Sequence, residues 1–153
     1  MLRNHSLVVL AATLGLTVLA SCGDTEDSSP KTAPAGTNAD ATVVVGYQGL
    51  TPTAADALLK DPPDGLVVLD VRTPEEFAAG HIAGAVELDL QGATFESDVA
   101  ELDPETPYFV YCHTDNRSGQ AVAYMQEHDF ASLYELTGGI AAWETAGLPV
   151  VTS

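Results

Sequence analysis

From Val43 onward, short apolar runs alternate with stretches whose apolar residues recur at helical spacing. Val43-Val44-Val45 reads as a first strand. Thr51 then caps a helix that has Pro52 at its first position and Ala54, Ala55, Leu58 and Leu59 on one face. Asp61-Pro62-Pro63-Asp64-Gly65 stops it, and Leu66 to Val71 is an apolar run of the kind found in a strand covered on both faces. Thr73 caps a short helix begun by Pro74, with Glu75 and Glu76 at its positive end and Gly80 at its close. Ala85 to Leu88 reads as a third strand, with a helix between Phe95 and Leu102. Pro107 to Cys112 is a fourth strand, followed by a helix over Arg117–Glu127. Leu133 to Leu136 is the fifth, and Gly139 to Thr145 a last helix. This alternation predicts an α/β fold, a parallel sheet with helices on both faces. Ligands of such sheets sit outside the C-terminal ends of the strands, and Cys112 lies at one such end.

The chain before Val43 has a different character. Arg3 supplies a positive start, and Leu7 to Ala20 is an apolar stretch short for a bilayer span, as in a signal peptide. It runs into Leu19-Ala20-Ser21-Cys22, which resembles the bacterial lipobox, whose cysteine takes a diacylglyceryl group and becomes the mature N-terminus. Two or more acyl chains anchor stably where one does not. Gly23 to Ala41 is Asp, Ser, Thr, Pro, Ala and Gly without apolar periodicity, and reads as a disordered tether. The expected organisation is a lipoprotein signal peptide over 1–21, lipidated Cys22 and tether over 22–41, and one folded domain over 42–153. The expected place is a bacterial membrane, lipid-anchored on the extracytoplasmic side. An oxidising compartment would also permit a competing Cys22–Cys112 disulfide.

Charge narrows the partners. With 22 acidic residues against 5 Lys and Arg, the net charge is -17. Nucleic acid and anionic lipid headgroups both require a basic surface, so neither fits as an electrostatic partner. A solvated acidic surface that keeps the protein soluble accounts for the excess.

The candidate chemistry centres on Cys112-His113-Thr114-Asp115-Asn116-Arg117-Ser118, directly after the apolar run Tyr108-Phe109-Val110-Tyr111. A strand ending on a lone cysteine, then a short polar loop and a helix start, brings unsatisfied N–H donors and the positive helix end toward one sulfur. That setting favours thiolate over a thiol whose free pKa is about 8.5. No Cys-x-x-Cys pair points to disulfide exchange. His81, His113 and His128 lack metal-ligand spacing, and no metal or cofactor is implied. His113 is adjacent to Cys112, a poor geometry for a base–nucleophile pair.

Four segments, in order, resemble the rhodanese family of sulfurtransferases. Asp70-Val71-Arg72 with Glu76-Phe77 is similar to its Asp-x-Arg…Glu-Phe/Tyr element, and Gly80-His81-Ile82-Ala83-Gly84-Ala85 to its Gly-His-Ile-x-Gly-Ala signature. Tyr111 to Ser118 matches its active-site loop, and Leu136-Thr137-Gly138-Gly139-Ile140-Ala141-Ala142-Trp143 with Ala146 to Val150 its C-terminal signature. The resemblance spans about Thr42 to Val150. It implies a three-layer α/β/α rhodanese-like fold with a mostly parallel five-stranded sheet of order 3-2-4-5-1. It also implies catalysis by Cys112, which would carry a sulfane sulfur as a persulfide from thiosulfate or a persulfide donor to a thiol or cyanide. His113, Thr114, Asp115, Asn116, Arg117 and Ser118 would form the binding loop, with Asp70, Arg72 and His81 supporting it. Arg117 falls sixth counting from Cys112, as in the rhodanese loop; cysteine phosphatases of related fold carry one residue more, for a tetrahedral phosphate. Its expected work is to hold loop carbonyls and add positive potential.

Two positions depart from the family loop, which commonly has Arg where His113 stands and Gly where Asp115 stands. Asp is among the few residues that tolerate positive φ, but its carboxylate at the mouth would oppose an anionic donor. The alternative function is a catalytically weak rhodanese module that binds a partner or captures reactive sulfur; the intact Cys112 and the loop length favour the enzyme, while Asp115 and the extreme acidity favour the alternative.

Overall fold

The computed structural model describes residues 43–152. The elements run β1 (Gly46–Leu50), α1 (Pro52–Lys60), β2 (Val67–Asp70), α2 (Pro74–Ala79), β3 (Ala85–Glu87) and α3 (Phe95–Ala100). They continue with β4 (Pro107–Tyr111), α4 (Asn116–Glu127), β5 (Ser132–Leu136) and α5 (Gly139–Thr145). The five strands form one sheet in the order β1-β5-β4-β2-β3, and every neighbouring pair is parallel.

Burial follows from the sequence pattern. All residues of β4 and β5 are buried, as expected of parallel strands covered on both faces. Alternation then divides their side chains between two cores. Leu69, Tyr108, Val110 and Leu133 point to one face, packed with Phe95 and Val99 of α3 and Ala121, Val122 and Met125 of α4. Val68, Phe109, Tyr111, Tyr134 and Leu136 point to the other, packed with Ala55 of α1 and Ile140 and Trp143 of α5. A fully buried Leu or Phe contributes roughly 1.5–3 kcal/mol relative to exposure, so these layers hold the fold.

The first strand is displaced from its expected place. Val43–Val45 lies outside it, with Val45 84% exposed, and the strand begins at Gly46. Three β-branched residues fit a strand locally, but pairing depends on the partner, and β5 supplies partners only from Ser132 opposite Gly46. The helix starts fared better because capping is local. Thr51 Oγ1 accepts from Ala54 N. Thr73 and Glu76 close a reciprocal capping box on α2.

Candidate active site

Cys112 follows the last residue of β4 and precedes α4, at the C-terminal end of a central strand. The loop between them turns on Asp115, which has φ 73° and is the N-cap residue of α4. Aspartate therefore does occupy the left-handed backbone that the family's glycine at this position implies. Its carboxylate does not stand free: Oδ2 accepts a hydrogen bond from Gly138 N at 3.1 Å. The Asp115 carbonyl accepts from Gly119 N (2.9 Å) and lies 3.2 Å from Ser118 Oγ.

The carbonyls that open the loop are held from α5, not by Arg117. Ile140 N donates to Cys112 O (2.9 Å) and Ala141 N to His113 O (3.1 Å), so the first free N–H groups of α5 are spent on the loop. Gly139 makes this approach possible. A Cβ there would fall 2.4 Å from the His113 carbonyl carbon, and its φ of 62° further disfavours any side chain. Arg117 instead grips Glu76 of α2, Nη1 to Oε2 at 2.7 Å and Nη2 to Oε1 at 2.8 Å. An arginine fork matches a carboxylate better than scattered carbonyls. The Arg117 hydrogen bonds, aided by its charge, hold the Glu76 carboxyl down to about 2.

Cys112 is 1% exposed. Among the described residues the hydrogen-bond partner of its Sγ is a side chain, Ser118 Oγ at 3.5 Å, rather than the backbone N–H groups of 113–118 to which the sequence points. Behind Ser118 lies an acid that the sequence reading passed over. Glu135 of β5 is buried; its Oε1 accepts from Ser118 Oγ at 2.7 Å and its Oε2 from Tyr47 Oη of β1 at 2.7 Å. That hydrogen bond, then burial, pushes the Tyr47 phenol up to about 12. The missed signal was a carboxylate inside the apolar run Leu133-Tyr134-Glu135-Leu136, since a buried charge needs partners.

A second buried pair supports the other side. Arg72 Nε and Nη2 donate to both oxygens of Asp70, the closest contact 2.5 Å, and Nη2 also donates to Gly80 O at 2.7 Å. His81 is stacked on Phe77 at 3.8 Å, with Nδ1 2.9 Å from Phe77 O, and its main chain bridges to Val151. Neither group hydrogen-bonds the Cys112 sulfur. Beside the loop, Arg72, Glu76, Gly80, His113, Ile140 and Glu144 line a cleft of about 240 Å³. His113, Thr114 and Asn116 are exposed above the buried sulfur. Cys22 and the rest of the N-terminal leader lie outside the described residues.

A model of the rhodanese-like domain matches residues 51–146, which contain the Cys112 loop and each of the supporting residues from Asp70 to Glu135. The chain belongs to the rhodanese-like family. Among its relatives, a thiosulfate sulfurtransferase GlpE of Pseudomonas entomophila is 35% identical over 65% of this chain and 86% of its own. A sulfurtransferase of Allochromatium vinosum is 37% identical over 61% and 84%. Of solved structures, a rhodanese-related protein from Thermoplasma volcanium matches with TM-score 0.61 at 27% identity, covering 70% of this chain and all of the other.

Proposed function

We propose that this rhodanese-type sulfurtransferase carries sulfane sulfur as a persulfide on Cys112. The observation that carries the reading is Cys112 at the end of β4, opening a six-position turn to Arg117 whose carbonyls are pinned by α5. The Cys112 thiolate attacks the outer sulfur of thiosulfate. A new S–S bond forms as the old one breaks, and sulfite leaves with the bonding pair. A thiol or cyanide then takes the terminal sulfur and returns Cys112 as thiolate, a ping-pong sequence. The backbone N–H groups of 113–118 and the start of α4 are suited to stabilise charge on the outer sulfur. A persulfide donor would serve the same first step. The exposed His113 is the residue beside which donor and acceptor enter, with the cleft as the acceptor's seat.

The leader and Cys22 support a lipid-anchored protein on the extracytoplasmic side of a bacterial membrane. Intact-mass analysis of the domain after exposure to thiosulfate, and separately to a low-molecular-weight persulfide, tests the reaction. The expected result is one added sulfur on Cys112, absent in Cys112→Ser. No added sulfur with either donor, or undiminished turnover in the serine variant, would overturn it.

A further inference from the structure

We propose that Glu135 is a positioning residue that commits the Ser118 hydroxyl proton away from Cys112, so that Ser118 faces the resting sulfur as an acceptor. Ser118 has one hydroxyl proton and three neighbours: Glu135 Oε1 at 2.7 Å, the Asp115 carbonyl at 3.2 Å and Cys112 Sγ at 3.5 Å. The shortest contact is to a carboxylate, and hydrogen bonds to an ionised acceptor are about twice as strong as neutral ones. Glu135 receives a second hydroxyl from Tyr47, so both its oxygens act as acceptors, as in an ionised carboxylate. What remains on Ser118 Oγ for Cys112 is a lone pair. A lone pair welcomes an S–H and offers nothing to a thiolate.

The setting limits screening. Ser118 is fully buried, Glu135 is buried and Cys112 is 1% exposed, so little solvent screens them. Glu135 is faced by Tyr47 from β1 and Ser118 from α4, while Arg117, whose charge couples to Cys112, is already paired with Glu76. The carboxylate thus opposes charge on the sulfur in two ways, through its own field and through the proton that it holds. The inference needs only that Cys112 be a thiol. Its test therefore uses alkylation rather than sulfur transfer, and either reading can fail alone.

The experiment compares the rate of Cys112 alkylation by iodoacetamide, a neutral electrophile, and the thiolate ultraviolet absorbance, both at neutral pH. Glu135→Gln keeps the shape of the side chain, removes the charge and can turn an N–H toward Ser118, freeing the Ser118 proton for the sulfur. The expected rate gain is on the order of tenfold with a parallel rise in absorbance. Ser118→Ala alone should leave the rate within about twofold, because the wild-type hydroxyl gives the thiolate nothing. In the Glu135→Gln background the same change should remove several-fold of the gain. A Glu135→Gln rate equal to or below wild type, or a large loss in Ser118→Ala alone, overturns the proposal. Should Glu135→Gln fail to fold, Tyr47→Phe decides. Tyr47 is 49% exposed, and losing its hydrogen bond leaves Glu135 a stronger acceptor for Ser118. Alkylation no faster than wild type is then expected, and faster alkylation overturns the proposal.

Discussion

Arg117 and Glu76 are joined by two parallel hydrogen bonds, 2.7 and 2.8 Å, that tie the first turn of α4 to the first turn of α2. The Glu76 carboxyl is held down to about 2 from 4.5. A depressed acid adds stability above its unfolded value and loses it as pH falls toward the folded one. The stability gap between wild type and Arg117→Gln should therefore be full above about pH 4.5 and close toward pH 2. Glu76 is a third exposed, so screening limits the gap to about 1 kcal/mol. Urea denaturation across that range measures it; a gap that does not change with pH would show that the pair contributes shape and not charge.

Asp70→Asn leaves Arg72 buried without a counterion, since Asp70 is fully buried and Arg72 is 5% exposed. Breaking one side of such a pair costs about 3 kcal/mol or more. Because Arg72 also holds Gly80 O at the cleft, persulfide formation should fall along with the denaturation midpoint. A variant as stable as wild type would mean that solvent reaches the pair.

At Asp115 charge and backbone can be separated. Asp115→Asn keeps an oxygen for Gly138 N and tolerates the φ of 73°, but removes the carboxylate from the loop rim. Sulfur transfer from thiosulfate should rise several-fold, on the order of 1 kcal/mol after screening, with a smaller rise for a neutral persulfide. Asp115→Gly relieves the backbone but loses the tie to Gly138, so it should gain less than Asn. Equal rates for both donors in wild type and Asn would assign Asp115 to loop order alone.

Cys22→Ala should shift the protein from the membrane fraction to the soluble fraction, or leave it unprocessed. Mass spectrometry of the wild-type N-terminus checks the same point: an unmodified Cys22 would refute the anchor.

Local signals in the sequence transferred well to the structure. Thr51, Thr73 and Pro74 set helix starts through contacts within one turn, and Asp115 keeps the left-handed turn that the family's glycine at its position implied. Features that depend on distant partners did not. Val43–Val45 had the composition of a strand but no partner opposite it. Arg117 was expected to hold loop carbonyls because nothing local placed Glu76, 41 residues away, within its reach. Tyr47 and Glu135 are 88 residues apart and meet only because β1 and β5 pair in register. The strand-to-helix loop that opens on Cys112 was legible in the sequence, whereas the polar groups behind it were set by tertiary pairing.

Gly139 has no functional group, yet its missing side chain lets α5 close on the carbonyls of Cys112 and His113. A saturation screen scored on turnover should therefore rank position 139 beside 112, with alanine as damaging as any larger residue. The same screen scored on chemical rescue would separate the two. On the proposed mechanism a lost thiol leaves a folded cradle without a nucleophile, whereas a methyl group at 139 keeps the thiol and spreads the cradle. In this fold the space between two backbones is as much a part of the proposed reactive centre as the sulfur.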